Sequence, residues 1–178
     1  MNGAIEQAQQ LQSIHSPSRL SLVRIGAIAG TLDIADALIW NLFRGITPYT
    51  VFQHIASGLL GRRSFELGAV SVILGVVVHY TIAFIWTAVF YFLDRRFSFL
   101  RRRPVVSGLI YGICVYIVMN FVVLPLSALP PTRQPATVAS RINGVLALMF
   151  CIGLPISLLV RRGSSHGGHH RPMTKLEN

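Results

Sequence analysis

The stretch Gly26-Ala27-Ile28-Ala29-Gly30-Thr31-Leu32-Asp33-Ile34-Ala35-Asp36-Ala37 reads as a helix made for apolar surroundings, yet it carries two acids. It lies within an apolar run at about residues 20–43. Gly26, Gly30, Asp33 and Ala37 recur at helical spacings of four, three and four, so they share one face. Gly26-x-x-x-Gly30 lets a neighbouring helix approach closely. Asp33 therefore points inward with the small residues, and Asp36 occupies the adjoining part of that face. Leu22, Ile25, Leu32, Ile39 and Phe43 are left to meet lipid or other helices.

Three further apolar runs follow, at about residues 68–92, 104–126 and 138–160. Each is close to the ~20 residues a helix needs to cross the hydrocarbon core of a bilayer. The chain has 178 residues, 52% hydrophobic and only 12% charged. A soluble domain carries roughly twice that charged fraction. The expected fold is all-α: an integral membrane antiparallel four-helix bundle over residues 19–162, with one additional short amphipathic helix, interfacial or re-entrant. Residues 1–18 form a polar tail, and residues 163–178 a polar, Gly- and His-rich disordered tail.

The net charge is +10. The arginines sit at the ends of the apolar runs, where they meet lipid phosphates, and no basic surface interleaved with stacking aromatics is present. Nucleic acid is therefore not an expected partner. With the N-terminus inside, eleven basic residues fall on the cytoplasmic side and five on the other, so both termini are expected in the cytoplasm.

The connection after the first run carries its own signals. Thr47-Pro48 is an N-cap followed by proline at the first helical position, and Gly61 suits the C-terminal end. The helix between them, about residues 48–60, is too short to span a bilayer. Thr50, Gln53, His54 and Ser57 line one of its faces; Val51, Phe52, Ile55 and Leu59 line another. His54 and Gln53 are expected as a lid over the bundle mouth.

The second run holds His79 near its middle, with Trp86 and Tyr91-Phe92 as interfacial anchors. The third has a second close-packing pair, Gly108 and Gly112, and ends near Asn120, Pro125 and Ser127. Leu129 to Pro135 is a stiff, proline-rich turn. The fourth run begins with Arg141 and Asn143, and Pro155 predicts a kink after Cys151. No long-period repeat is evident.

Ionisable groups inside a bilayer turn away from lipid and seek partners. Asp33, Asp36, His79, Asn120 and Arg141 sit at similar expected depths, so they form the candidate intramembrane cluster. One reading is a proton- or ion-coupled relay or a small-solute site. The other is a structural cluster with Asp36 paired to Arg141 and Asp33 to His79. Cys114 and Cys151 lack metal-ligand spacing, and His166, His169 and His170 lie in a tail without supporting ligands, so no metal site is expected. Hydrolase, metalloprotease and phosphate-loop motifs are missing, so no enzyme and no cofactor are expected.

Four segments carry a resemblance. They are Ala29-Gly30-Thr31-Leu32-Asp33; Gln53-His54-Ile55-Ala56-Ser57-Gly58-Leu59-Leu60-Gly61; Gly75 to His79 with Ile82-Ala83-Phe84; and Met119-Asn120 with Val123-Leu124-Pro125-Leu126-Ser127. Over about residues 20–128 the chain resembles a family of small bacterial four-helix inner-membrane proteins. The resemblance implies four helices in a bacterial inner membrane. It implies no activity and no catalytic residue. The leading expectation is a non-enzymatic accessory subunit that associates with other membrane proteins or with itself. The alternative is a small transporter or ion-coupling protein using Asp33, Asp36 and His79.

Overall fold

A computed structural model describes residues 19–130 and 137–165. The N-terminal tail, most of the proline-rich turn and the histidine-bearing tail lie outside the described residues. Those described are helical apart from turns. In chain order they form α1 (Arg19–Phe43), α2 (Pro48–Leu60), a 3-10 turn (Gly61–Phe65), α3 (Ala69–Arg96), α4 (Ser98–Arg102), α5 (Pro104–Leu126) and α6. Helix α6 is assembled from Val138–Ala147, Leu148–Gly153 and Leu154–Ser165. The stretches Ala69–Arg96, Pro104–Leu126 and Val138–Arg162 are long and apolar enough to cross a membrane. Helix α1, at 25 residues, is as long, but it carries Asp33, Asp36 and Asn41.

Local chemistry sets the ends of α2. The Thr47 hydroxyl accepts from the Thr50 N–H at 3.3 Å, Pro48 occupies the first turn, and Gly61 takes φ +59°, a backbone state that disfavours a side chain. Helix α3 continues to Arg96, so Asp94-Arg95-Arg96 is its last turn rather than loop.

The glycine pairs are contact points between helices of the same chain. A Cβ on Gly26 would meet Phe84 of α3, and one on Gly30 would lie 3.0 Å from Ala83. On α5, a Cβ at Gly108 would run into Ser157 and the Gly153 backbone, and one at Gly112 into Leu148 and Met149. Helix α1 thus packs on α3, and α5 packs on α6 almost backbone to backbone. Between α3 and α5, aromatic rings bridge the gap. Tyr111 stacks edge-on with Phe90 at 4.9 Å and donates to the Trp86 carbonyl at 2.6 Å. The Trp86 ring packs edge-on against Tyr111 at 6.2 Å and Tyr91 is buried, while Phe92 is exposed.

Two π-helical turns, Met119–Val123 and Leu148–Gly153, interrupt α5 and α6. Each stops two residues before a proline. Pro125 and Pro155 cannot donate, and their rings crowd the carbonyl four residues back, so the helix widens there. The two turns are alike in detail. The Leu124 N–H bonds to the Met119 carbonyl, and the Leu154 N–H to the Met149 carbonyl. The Ser127 hydroxyl donates to the Leu124 carbonyl at 2.7 Å, and the Ser157 hydroxyl to the Leu154 carbonyl at 3.0 Å. A short repeat, Met-x-x-x-x-Leu-Pro-x-Ser, at 119–127 and 149–157, thus writes the same local backbone twice. The expected kink near Cys151 takes this wider form.

The core occupies one end of the molecule. Ile25 and Ala29 of α1, Phe90 and Tyr91 of α3, Tyr111 and Val115 of α5, and Ile152, Ile156 and Val160 of α6 are buried against one another. Arg24, Arg95, Arg96, Arg102, Arg103, Arg161 and Arg162 belong to that end. At the opposite end the described side chains leave a space between them, and the candidate site lies there.

Candidate functional site

Helix α2 closes the unfilled end. A Cβ on Gly75 of α3 would collide with the Phe52 carbonyl, so the two helices touch through their backbones. Gln53 and Ser64 fasten the following turn. The Ser64 hydroxyl donates to the Gln53 carbonyl at 2.6 Å, and the Gln53 amide donates to the Ser64 carbonyl at 3.4 Å. On the other side, the Ala128 N–H donates to the Gly58 carbonyl at 2.8 Å and ties α2 to the end of α5. The sequence pattern misassigns the faces of α2: Val51, Gln53, Ala56 and Ser57 form its buried side. Gln53 and Ser57 tolerate burial because their own neighbourhood satisfies them, Ser57 through the His54 carbonyl at 2.7 Å.

Under this cover lies a cavity of about 490 Å³, walled by α1, α2, α3, α5 and α6. Its polar groups include Asp33, Asp36 and Asn41 of α1, His54 of α2, His79 of α3, Asn120 of α5 and Asn143 of α6. Trp40 and Trp86 add rings, and aliphatic side chains make most of the remainder. Both π turns contribute, through Met119, Asn120 and Val123 on one side and Leu148 and Ile152 on the other.

Four of the five residues expected in the polar cluster line this cavity: Asp33, Asp36, His79 and Asn120. Arg141 does not. It is exposed on α6, and Asn143, two residues on, faces inward instead and donates to Asp36 Oδ2 at 3.1 Å. Two residues along a helix turn a side chain by about 200°, which moves the contact from one to the other. Nor does His79 hydrogen-bond to Asp33. Its Nε2 lies 2.8 Å from the Gly30 carbonyl, reachable because Gly30 has no side chain. A carbonyl only accepts, so Nε2 carries the proton and Nδ1 is the nitrogen left over. Asp33 stays within electrostatic reach of His79 and Asp36. Of the expected lid pair, His54 lines the cavity, while Gln53 is 6% exposed and holds the turn beneath.

Asn41 and Asn120 are tied to their own helices, donating to the Ala37 and Tyr116 carbonyls at 2.8 and 2.9 Å. Trp40 differs: its indole N–H is buried and has no acceptor among the described residues. An unmet buried donor costs about 1–3 kcal/mol. Trp40, Asn41 and Asn143 are cavity residues that sequence reasoning did not place there. Asn41 could have been found, since it follows Ala37 on the face already carrying Asp33. Trp40 had no such signal. Cys114 is exposed and Cys151 part-buried, both as thiols, and among the described residues no three His, Cys, Asp or Glu side chains form a group that could hold a metal ion.

His54 keeps an exposed edge, yet the helices around it strip water from the ring and push its pKa below the ordinary value of 6.5. The unfolded chain then takes up this proton more readily than the folded one. Stability is fully present above pH 6.5 and falls as the pH drops through it. Thermal unfolding in detergent at pH 7.5 and pH 5.5 should show a smaller acid loss for His54→Gln than for the unaltered protein. An equal loss would contradict this role for His54.

Comparison with protein-family models, with curated proteins and with solved structures finds no match for this chain.

Proposed function

We propose that this chain is a membrane protein spanning the bilayer with α1, α3, α5 and α6, and that it binds a small solute in the cavity capped by α2, in the manner of a small transporter. The apolar exterior supports membrane embedding. Leu126 is 82% exposed and Phe121 73%, and Val70, Ile73 and Val138 are similarly open. In water such a surface would aggregate; in lipid it is at home. The concentration of arginines at the packed end makes that end cytoplasmic, and the cavity then lies towards the opposite face.

The observation that carries the solute reading is the cavity itself, with Asp33 and Asp36 in its wall. Four helices alone would form a narrow core with little room for a solute, which favours an accessory role. Helix α2 supplies a fifth wall and makes that room. A volume of about 490 Å³ lies within the range of small-molecule sites, roughly 300–1,000 Å³. Carboxylates kept from lipid in such a place are typical of substrate and proton paths.

Reconstitution tests the reading. Proteoliposomes carrying the protein should take up at least one class of small solute in response to an imposed pH gradient. The Asp33→Asn, Asp36→Asn double variant should assemble normally and lose that uptake. An accessory role predicts instead that the double variant loses assembly or a co-purifying membrane protein, with no solute flux in either form.

A further inference from the structure

The cavity is chemically one-sided. Asp33 and Asp36 line it, and among the described residues no Lys or Arg does. Arg141, the arginine that sequence order brings nearest, is exposed elsewhere. Among the described residues Asp36 has a single donor, the neutral Asn143 amide. Among the described residues no hydrogen-bond donor meets the Asp33 carboxylate. Two acids side by side in a largely apolar cavity, with the His79 imidazole within electrostatic reach as a partial offset, call for further positive charge. A bare metal ion is a weaker fit, because among the described residues no three His, Cys, Asp or Glu side chains come together to hold one. The volume is also far larger than one ion needs. Most of the wall is aliphatic, and the rings of Trp40 and Trp86 can receive a cation on their faces.

We infer that the ligand of this cavity is an organic cation, an ammonium group on an apolar body, with the charge at Asp33 and Asp36 and the body against Trp40, Trp86 and the aliphatic wall. This rests on the small-solute reading above and narrows it to one charge class.

Three probes with one body separate the possibilities: phenethylammonium, 2-phenylethanol and phenylacetate. The chain contains two tryptophans, and both line the cavity. Tryptophan emission of the full chain in lipid nanodiscs therefore reports occupancy directly. Phenethylammonium should bind at least about tenfold more tightly than 2-phenylethanol, a difference of ~1.4 kcal/mol. Phenylacetate should bind more weakly than either. Asp33→Asn and Asp36→Asn should each reduce the preference, and the double variant should abolish it while still binding the alcohol. Equal binding of ammonium and alcohol by the unaltered protein, or tighter binding of phenylacetate, overturns the charge assignment and leaves the small-solute reading standing. A preference that survives in the double variant overturns the assignment to these two acids. No saturable emission change with any of the three overturns both readings. The comparison within the unaltered protein holds whether or not the variants fold.

Discussion

Gly153→Leu should leave almost no folded, monodisperse protein. A Cβ at this position would meet the Gly108 carbonyl and the Gly112 N–H, both backbone atoms that cannot swing aside. Overpacking of a tight interior commonly costs about 1–3 kcal/mol. Here α5 and α6 must separate along their whole contact, so the expected loss is at the top of that range or above it. Gly144→Ala is the control on the same helix. Its Cβ would meet only the Tyr116 ring, 3.2 Å away, and a ring can move. Size-exclusion profiles and unfolding midpoints in detergent compare the two. A Gly153→Leu protein with the midpoint of the unaltered chain would show that α5 and α6 do not pack as described.

Gly75→Leu should detach the cap without unfolding the rest. The side chain would displace the Phe52 backbone and push α2 away from α3. The bonds from Gln53 to Ser64 and from Ala128 to Gly58 would be strained or broken. Trp40 and Trp86 would then face solvent, so their emission should shift to the red, and affinity for any solute should fall by at least about tenfold, ~1.4 kcal/mol. Gly58→Ala, on α2 itself, has only Ser127 Cβ within reach, at 3.9 Å, and should leave α2 docked and the emission unshifted. Loss of the fold in Gly75→Leu would mean that α2 is integral to the core. Unchanged emission would mean that α2 is not what shields the tryptophans.

These outcomes also mark what the sequence could and could not convey. Helix limits were legible wherever local chemistry sets them. Thr47, Pro48 and Gly61 bracket α2, and Pro104 opens α5. The inward face of α1 was legible as well, because two glycines and an aspartate at helical spacing leave few alternatives. Gly75 was not singled out. It stands four residues after Ser71, a small pair like the others, but a single glycine in an apolar run gives no hint that a short helix will dock there. Arg141 and Asn143 show a different limit. Periodicity says which residues share a face, yet it does not fix where that face points until the helix is placed. The packing of the Trp86 ring against Tyr111 was hidden for a related reason, since it depends on how α3 and α5 are placed.

The two widened turns have a consequence for how the surface of α5 and α6 is distributed. Each takes up roughly one residue more than a regular turn, and one residue corresponds to about 100° around the axis. Beyond Val123 and beyond Gly153 the outward stripe therefore slips sideways relative to the stripe before it. A single helical wheel drawn through either helix superimposes two different sides, so a substitution chosen from such a wheel to face the lipid on one half would land against a neighbouring helix on the other.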